Sequence, residues 1–158
     1  MTLHLEIVTP ERRAFEGDVD EVVVPGSEGE LGILPHHAPL ISMLGQGVLR
    51  YKQGEKSEEF AIFGGFLQVR PDRVVVLAET ADLASEIDVD RAERARREAE
   101  RQLEGGADAT DLAAGRAALQ RALIRLRVAE RGMRTAGRGE HEGARRAPRT
   151  PRNEPPGE

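Results

Sequence analysis

The hydrophobic pattern of this chain changes period once, after Ala84, and the change divides it into two kinds of structure. Before that point, short apolar runs are cut by turn signals. Leu3, Leu5 and Ile7 alternate with polar neighbours, as in a half-buried strand. Val22-Val23-Val24 stops at Pro25-Gly26, and Gly47-Val48-Leu49-Arg50-Tyr51 runs into the turn Gln53-Gly54-Glu55-Lys56. Phe60-Ala61-Ile62-Phe63 is broken by Gly64-Gly65 before Phe66-Leu67-Gln68-Val69, and Val74-Val75-Val76-Leu77 closes the set. Short strands at this spacing predict a β-sandwich or barrel over residues 1–86. Paired glycines inside a strand pattern predict a bulge or a close backbone approach.

Residues Asp88 to Leu103 contain no Gly or Pro and are rich in Ala, Glu and Arg. That composition predicts a helix with Asp88 as its N-cap, or Ser85 if it starts earlier, and Gly105-Gly106 as its stop. Asp108 or Thr110 caps a second helix running to about Arg134, and the short connection makes an antiparallel hairpin over 87–134. Leu112, Leu119, Leu126 and Met133 recur at heptad spacing, with Gly115, Ala122 and Ala129 between them. The expected facing seam is Ala92, Ala95, Ala99 and Leu103. Small side chains bury little area, and at about 25 cal/mol per Å² such a hairpin is marginal by itself. From Thr135 the chain is Gly, Pro, Arg and Glu with almost no apolar content, a composition that predicts a disordered tail over 135–158. The fold class is therefore α+β: sandwich, hairpin, tail.

Composition narrows the chemistry. The 158-residue chain has no cysteine, which excludes disulfides, thiol catalysis and Cys-ligated zinc. No run approaches the roughly 20 apolar residues of a membrane span, and the first residues lack a signal-peptide pattern. A soluble, intracellular chain that meets membranes only peripherally is expected. The net charge of −5 hides an acidic first part and a second part with more Arg than acid, so the two parts suit different partners. There is no Gly-x-Ser-x-Gly elbow, no Walker-type loop and no acid/base pair, so catalysis is not expected. Nucleic-acid binding through the arginines is the rival reading. It calls for stacking aromatics, and aromatics are only 3% of the chain.

The string Gly29-Glu30-Leu31-Gly32-Ile33-Leu34-Pro35-His36-His37-Ala38-Pro39-Leu40 is rigid and partly apolar, because each Pro fixes its own φ and holds its predecessor extended. It closely resembles the signature loop of the epsilon subunit of the F-type ATP synthase. Gly64-Gly65-Phe66-Leu67-Gln68-Val69 resembles that family's Gly-Gly-Phe-Leu-Glu-Val strand, and Arg125-Leu126-Arg127-Val128-Ala129-Glu130 resembles its second helix. The order of sandwich and hairpin agrees over residues 1 to about 134.

The resemblance implies a rotor part between the gamma subunit and the c-ring, peripheral to the cytoplasmic face of a bacterial membrane. It implies a hairpin that lies on the sandwich or extends into the catalytic alpha/beta head, where it blocks ATP hydrolysis. Glu30 and His37 match the family's rotor interface; alone they read as a solvated turn residue and a loop histidine. Metal binding at His36/His37 is not expected, since adjacent side chains splay apart and no third ligand follows. Ile87-Asp88-Val89-Asp90-Arg91-Ala92 matches the Ile/Leu-Asp-x-x-Arg-Ala motif of epsilon subunits that bind regulatory ATP, and Arg121 and Arg125 match that site's second-helix arginines. Asp82 stands where those members carry Glu, and Glu98 where they carry Arg. Without the family, Asp88 is a helix cap and the arginines are a solvated flank. Arg116, Arg127, Arg131 and Arg134 match the basic residues that meet the catalytic head.

Overall fold

The computed structural model describes residues 1–106 and 108–142, with side chains described as far as Thr135. Eight strands come first: β1 (Leu3–Val8), β2 (Arg13–Val19), β3 (Glu21–Gly26), β4 (Gly29–Ile33), β5 (Leu40–Met43), β6 (Gln46–Gln53), β7 (Lys56–Val69) and β8 (Arg73–Leu83). A 3-10 turn at Ala84–Glu86 leads into α1 (Val89–Glu104) and α2 (Ala109–Glu142). The strand order is β2-β1-β8-β7-β6-β3-β4, with β5 also on β7. The pairing of β1 with β8 is parallel and the other ladders are antiparallel.

Strand β7 belongs to both layers. Its first half pairs with β6 and its second half with β5, along the same side. Between them Leu44 N–H donates to Gly65 O at 2.9 Å and Gly64 N–H donates to Gly45 O at 3.3 Å, so the ladder is continuous through the break. The expected bulge is absent: Phe63 pairs with Thr80 and Gly65 with Ala78 in unbroken register. The close approach is present instead. Gly64 and Gly65 have φ of 70° and 119°, and a Cβ on Gly65 would strike the Leu77 carbonyl and lie 2.8 Å from Ala78 Cα.

This kink switches which residues point inward. Phe60 and Ile62 face the core before it, and Leu67 and Val69 after it. Even positions give way to odd ones, which regular two-residue alternation forbids. The core therefore closes between two halves of one bent sheet. Leu3, Leu5, Ile7, Val74 and Val76 come from one half, and Val22, Val24, Leu49 and Tyr51 from the other.

Strands β2, β4 and β5 were not expected from the sequence. β2 is charged, β4 carries two glycines and β5 has only four residues, so none shows a strong apolar alternation. β2 and β4 are the path's ends, where charge and glycine suit an unpaired edge.

The hairpin forms as expected, with two corrections. Asp88 caps α1, its Oδ1 accepting from Arg91 N–H at 3.0 Å, and Asp108 does the same for Asp111 N–H. The buried line of α2, however, is Gly115, Ala122 and Ala129, while Leu112, Leu119 and Leu126 are half-buried and Met133 is exposed. On α1, Ala92 and Ala99 are buried and Ala95 is exposed. Gly115 sits so close to α1 that a Cβ there would be 3.2 Å from Leu103 Cδ2. Close backbone approach, set by the small residues, displaces the leucines to the flanks of the seam.

The second correction is length. α2 continues past Arg134 to Glu142, since no Pro interrupts the chain before Pro148 and a formed helix extends at small cost per residue. The rest of the expected disordered tail, 143–158, lies outside the described residues. Among the described residues no helix is long and apolar enough to cross a membrane.

Gly65→Ala should destabilise the sandwich by about 2–4 kcal/mol, from positive-φ strain plus the collision with β8. Urea unfolding should show a lower midpoint with unchanged slope.

Candidate functional site

The bend gives the sandwich two outer apolar faces, and they are treated differently. Val48, Ala61 and Phe63 point outward from one half, and Ile124 and Val128 of α2 cover them, with Ala84 and Ile87 packed alongside. The hairpin is thus docked on the sandwich. On the other half Met43 pairs with Phe66 and Phe66 with Leu77, giving a cross-strand apolar row. With Ile41 it stays open, at 75% exposure for Ile41 and 50–60% for Leu77, Phe66 and Met43. Sequence periodicity could not find this face, because it depends on the parity switch at Gly64-Gly65.

Ion pairs fasten α2 to the sandwich. Arg125 Nε donates to Asp82 Oδ2 on β8 at 2.8 Å, and its guanidinium lies 4.7 Å from the Phe63 ring centroid. Arg131 Nη1 donates to Glu59 Oε1 on β7 at 3.3 Å. The proposed nucleotide residues are thus only partly assembled as a site. Asp82 and Arg125 are together, but with each other. Asp88 serves as the α1 cap, Ile87 packs beneath α2 and Ala92 is buried. Arg121 is half-buried and Arg91 exposed. A cavity of about 650 Å³ opens elsewhere, between the β6–β7 turn, the β8–α1 connection and the far part of α2; Lys56, Glu59, Ile87 and Met133 are among its walls. Neither Arg121 nor Arg125 lines it.

The remaining expected head-contact arginines are on the surface. Arg116, Arg127 and Arg134 are exposed, and Arg134 pairs with Glu130 one turn back.

The rigid string divides into a strand and a loop. Glu30 is exposed on edge strand β4 and pairs with Arg50 at 3.3 Å. His37 is half-buried, its Nδ1 2.7 Å from Ala38 O. Among the described residues no hydrogen bond or ion pair joins Glu30 to His37. The loop is anchored by His36, whose N–H donates to Pro71 O at 2.7 Å and whose φ of 68° is the sole positive value at a non-glycine position among the described residues. An extended residue there would lose the bond to the β7–β8 turn.

One cluster escaped the sequence reading because its members are far apart in the chain. His4, Glu6 and Glu16 bring ligand-type atoms within 4.8 Å of one another. Arg73 already pairs with Glu6 and Arg13 with Glu16, so the carboxylates have their own cations. The His4 pKa is raised, chiefly by its hydrogen bond to Asp18, and Glu16 is lowered, chiefly by Arg13 and then by His4.

Comparison with known proteins settles the family. Residues 2–84 match the model of the ATP synthase delta/epsilon chain β-sandwich domain, and residues 85–130 that of its long α-helix domain. The chain belongs to the ATP synthase delta/epsilon family. An ATP synthase epsilon chain of Syntrophobacter fumaroxidans is 50% identical over 129 residues, 82% of this chain and 96% of that one. One from Halalkalibacterium halodurans is 47% identical over 131 residues, 82% and 98% of the two chains. The fold also matches a chain of the Euglena gracilis mitochondrial ATP synthase, in a structure of its OSCP/F1/c-ring assembly, at a TM-score of 0.68 and 24% identity over 75% of this chain and 76% of that one. Membership of this family makes the chain a subunit of the enzyme that synthesises ATP with ion transport.

Within this epsilon-type chain, the Asp82–Arg125 pair can be measured directly. Both side chains are about one-third exposed, so screening limits the pair. A double-mutant cycle with Asp82→Asn and Arg125→Ala should give a coupling of about 0.5–1 kcal/mol in thermal or urea unfolding, falling as salt is added.

Proposed function

We propose that this chain is a non-catalytic stalk subunit that joins the gamma shaft to the c-ring and restrains ATP hydrolysis through its hairpin. The open apolar row of Ile41, Met43, Phe66 and Leu77 is the observation that carries this reading. A contiguous exposed apolar face on a small domain marks a partner surface. An apolar surface of gamma fits it, since a shaft contact bearing torque favours area over mobile ion pairs. Glu30 and His37, held on rigid backbone nearby in sequence, suit the polar loops of the c-ring. The fold match to a mitochondrial chain solved within an OSCP/F1/c-ring assembly supports a place beside the c-ring. The subunit is then peripheral to the cytoplasmic face of the bacterial cell membrane, through the complex.

Inhibition belongs to the hairpin. It is held to the sandwich by few apolar anchors and two ion pairs, so release costs little. Once released, Arg116, Arg127, Arg131 and Arg134 form a basic helix that suits an acidic surface of the catalytic head.

ATP is the proposed regulator of that release. Arg121 and Arg125, four apart on one helix, present guanidinium groups that phosphates can bridge. Asp82 is a competitor, since the phosphates must draw Arg125 away from it. Weak binding is the consequence. A ligand that binds the docked state alone shifts the population by its differential affinity, and a tenfold shift needs about 1.4 kcal/mol.

Phe66→Glu with Met43→Glu should abolish co-purification with the gamma subunit while leaving the domain folded, because both residues are already exposed. Glu30→Ala with His37→Ala should retain gamma but lower proton-driven synthesis. Retained gamma binding by the glutamate variant would remove this face as the shaft contact.

For ATP, calorimetry should detect binding in the high-micromolar to millimolar range, and Arg121→Ala with Arg125→Ala should eliminate it. No heat from the unmodified chain at millimolar ATP would end the nucleotide proposal and leave Ile87–Ala92 as an ordinary helix start.

A further inference from the structure

The family match ends at residue 130, yet α2 continues to Glu142. The first residues of this continuation still lie against the sandwich. Arg131 reaches Glu59 on β7, and a Cβ placed on Gly132 would lie 2.8 Å from the Cβ of Ala84, in the turn that follows β8. Two successive residues thus touch two separate elements.

Each contact has a reason to be specific. Glu59 keeps only 17% side-chain exposure, and its Oε2 is buried without a hydrogen-bond partner among the described residues. A carboxylate so placed depends on the cation at its other oxygen, because removing one partner leaves a poorly solvated charge. Gly132 is costly inside a helix, by about 1 kcal/mol relative to Ala. Its lack of a side chain is what lets the α2 backbone lie against Ala84. The Ala84 methyl is fixed to the backbone and cannot rotate away from an intruding group.

We infer that Arg131 and Gly132 form a latch that holds the hairpin in its docked arrangement. Ala84–Glu86 is also the connection through which the chain enters the hairpin. The latch therefore ties the far part of α2 to the hinge about which the hairpin would swing, and undocking must break it. Arg131 cannot serve both states: while it neutralises Glu59 it is withheld from any acidic partner. The latch goes beyond the stalk role proposed above.

The absence of cysteine gives a clean test. Glu55→Cys and Gln120→Cys, both exposed positions, carry spin labels on the β6–β7 turn and on α2 of the full chain. Pulsed electron-spin distance measurements then read docked against undocked hairpin. The parent chain should give one dominant short distance. Gly132→Ala should raise the undocked-to-docked ratio at least fivefold, although helix propensity alone predicts a firmer helix. Arg131→Ala should act in the same direction. Ala84→Gly added to Gly132→Ala should restore the short distance by returning the lost space. An unchanged ratio in Gly132→Ala, failure of Ala84→Gly to restore it, or a parent chain that is mostly undocked would each overturn the latch. No gamma subunit or nucleotide is present in this measurement, so its failure is separate from failure of the stalk role.

Discussion

The close contact between Gly65 and the Leu77 carbonyl is what the remaining architecture depends on. It permits one long strand to bend across another without inserting a residue. The bend reverses the inward and outward faces of β7, so that Phe60 and Ile62 share a core with Leu67 and Val69. Any side chain at Gly65 would force β7 and β8 apart where the two layers join. The same reversal places Phe63 outward under the hairpin and Phe66 outward into solvent. The site for the chain's own hairpin and the open apolar row are thus two products of one backbone device.

The docked hairpin is built from modest contacts. Val128 is fully buried, and burial of such a side chain contributes about 1.5–3 kcal/mol. The Asp82–Arg125 pair lies in a partly solvated position, where it contributes on the order of 1 kcal/mol or less. The helices meet through Ala and Gly, which permit close approach but remove little apolar area from water. A sum of this size holds an element in place and still lets a partner of moderate affinity displace it.

Electrostatics divides the arginines of α2 into two sets. Arg125 and Arg131 point to the sandwich and are answered by acids on β8 and β7. Arg116 and Arg127 are exposed on the opposite side of that division. Two ion pairs thus join the acidic first part of the chain to the arginine-rich second part.

Sequence alone determined the class of each part. The turn-punctuated runs, the Gly/Pro-free stretch after Asp88 and the Asp88 cap follow from local backbone preference, so strands β1, β3, β6 and β8 and the starts of both helices were legible. The family was legible too, from strings such as Gly29–Leu40 that rigid local geometry keeps contiguous. Strands β2, β4 and β5 were not, because edge and short strands are stabilised by their neighbours rather than by their own pattern. The seam was legible in part: Gly115, Ala122, Ala129, Ala92 and Ala99 are buried as the pattern implies, while the closeness of α1 to α2 decides that Leu112, Leu119 and Leu126 lie on its flanks. The open apolar row, the pairing of Arg125 with Asp82 and the cluster around His4 exist only after distant segments meet. Tertiary structure decided them, because which face of a strand is inside depends on a backbone kink that hydrophobic periodicity does not record.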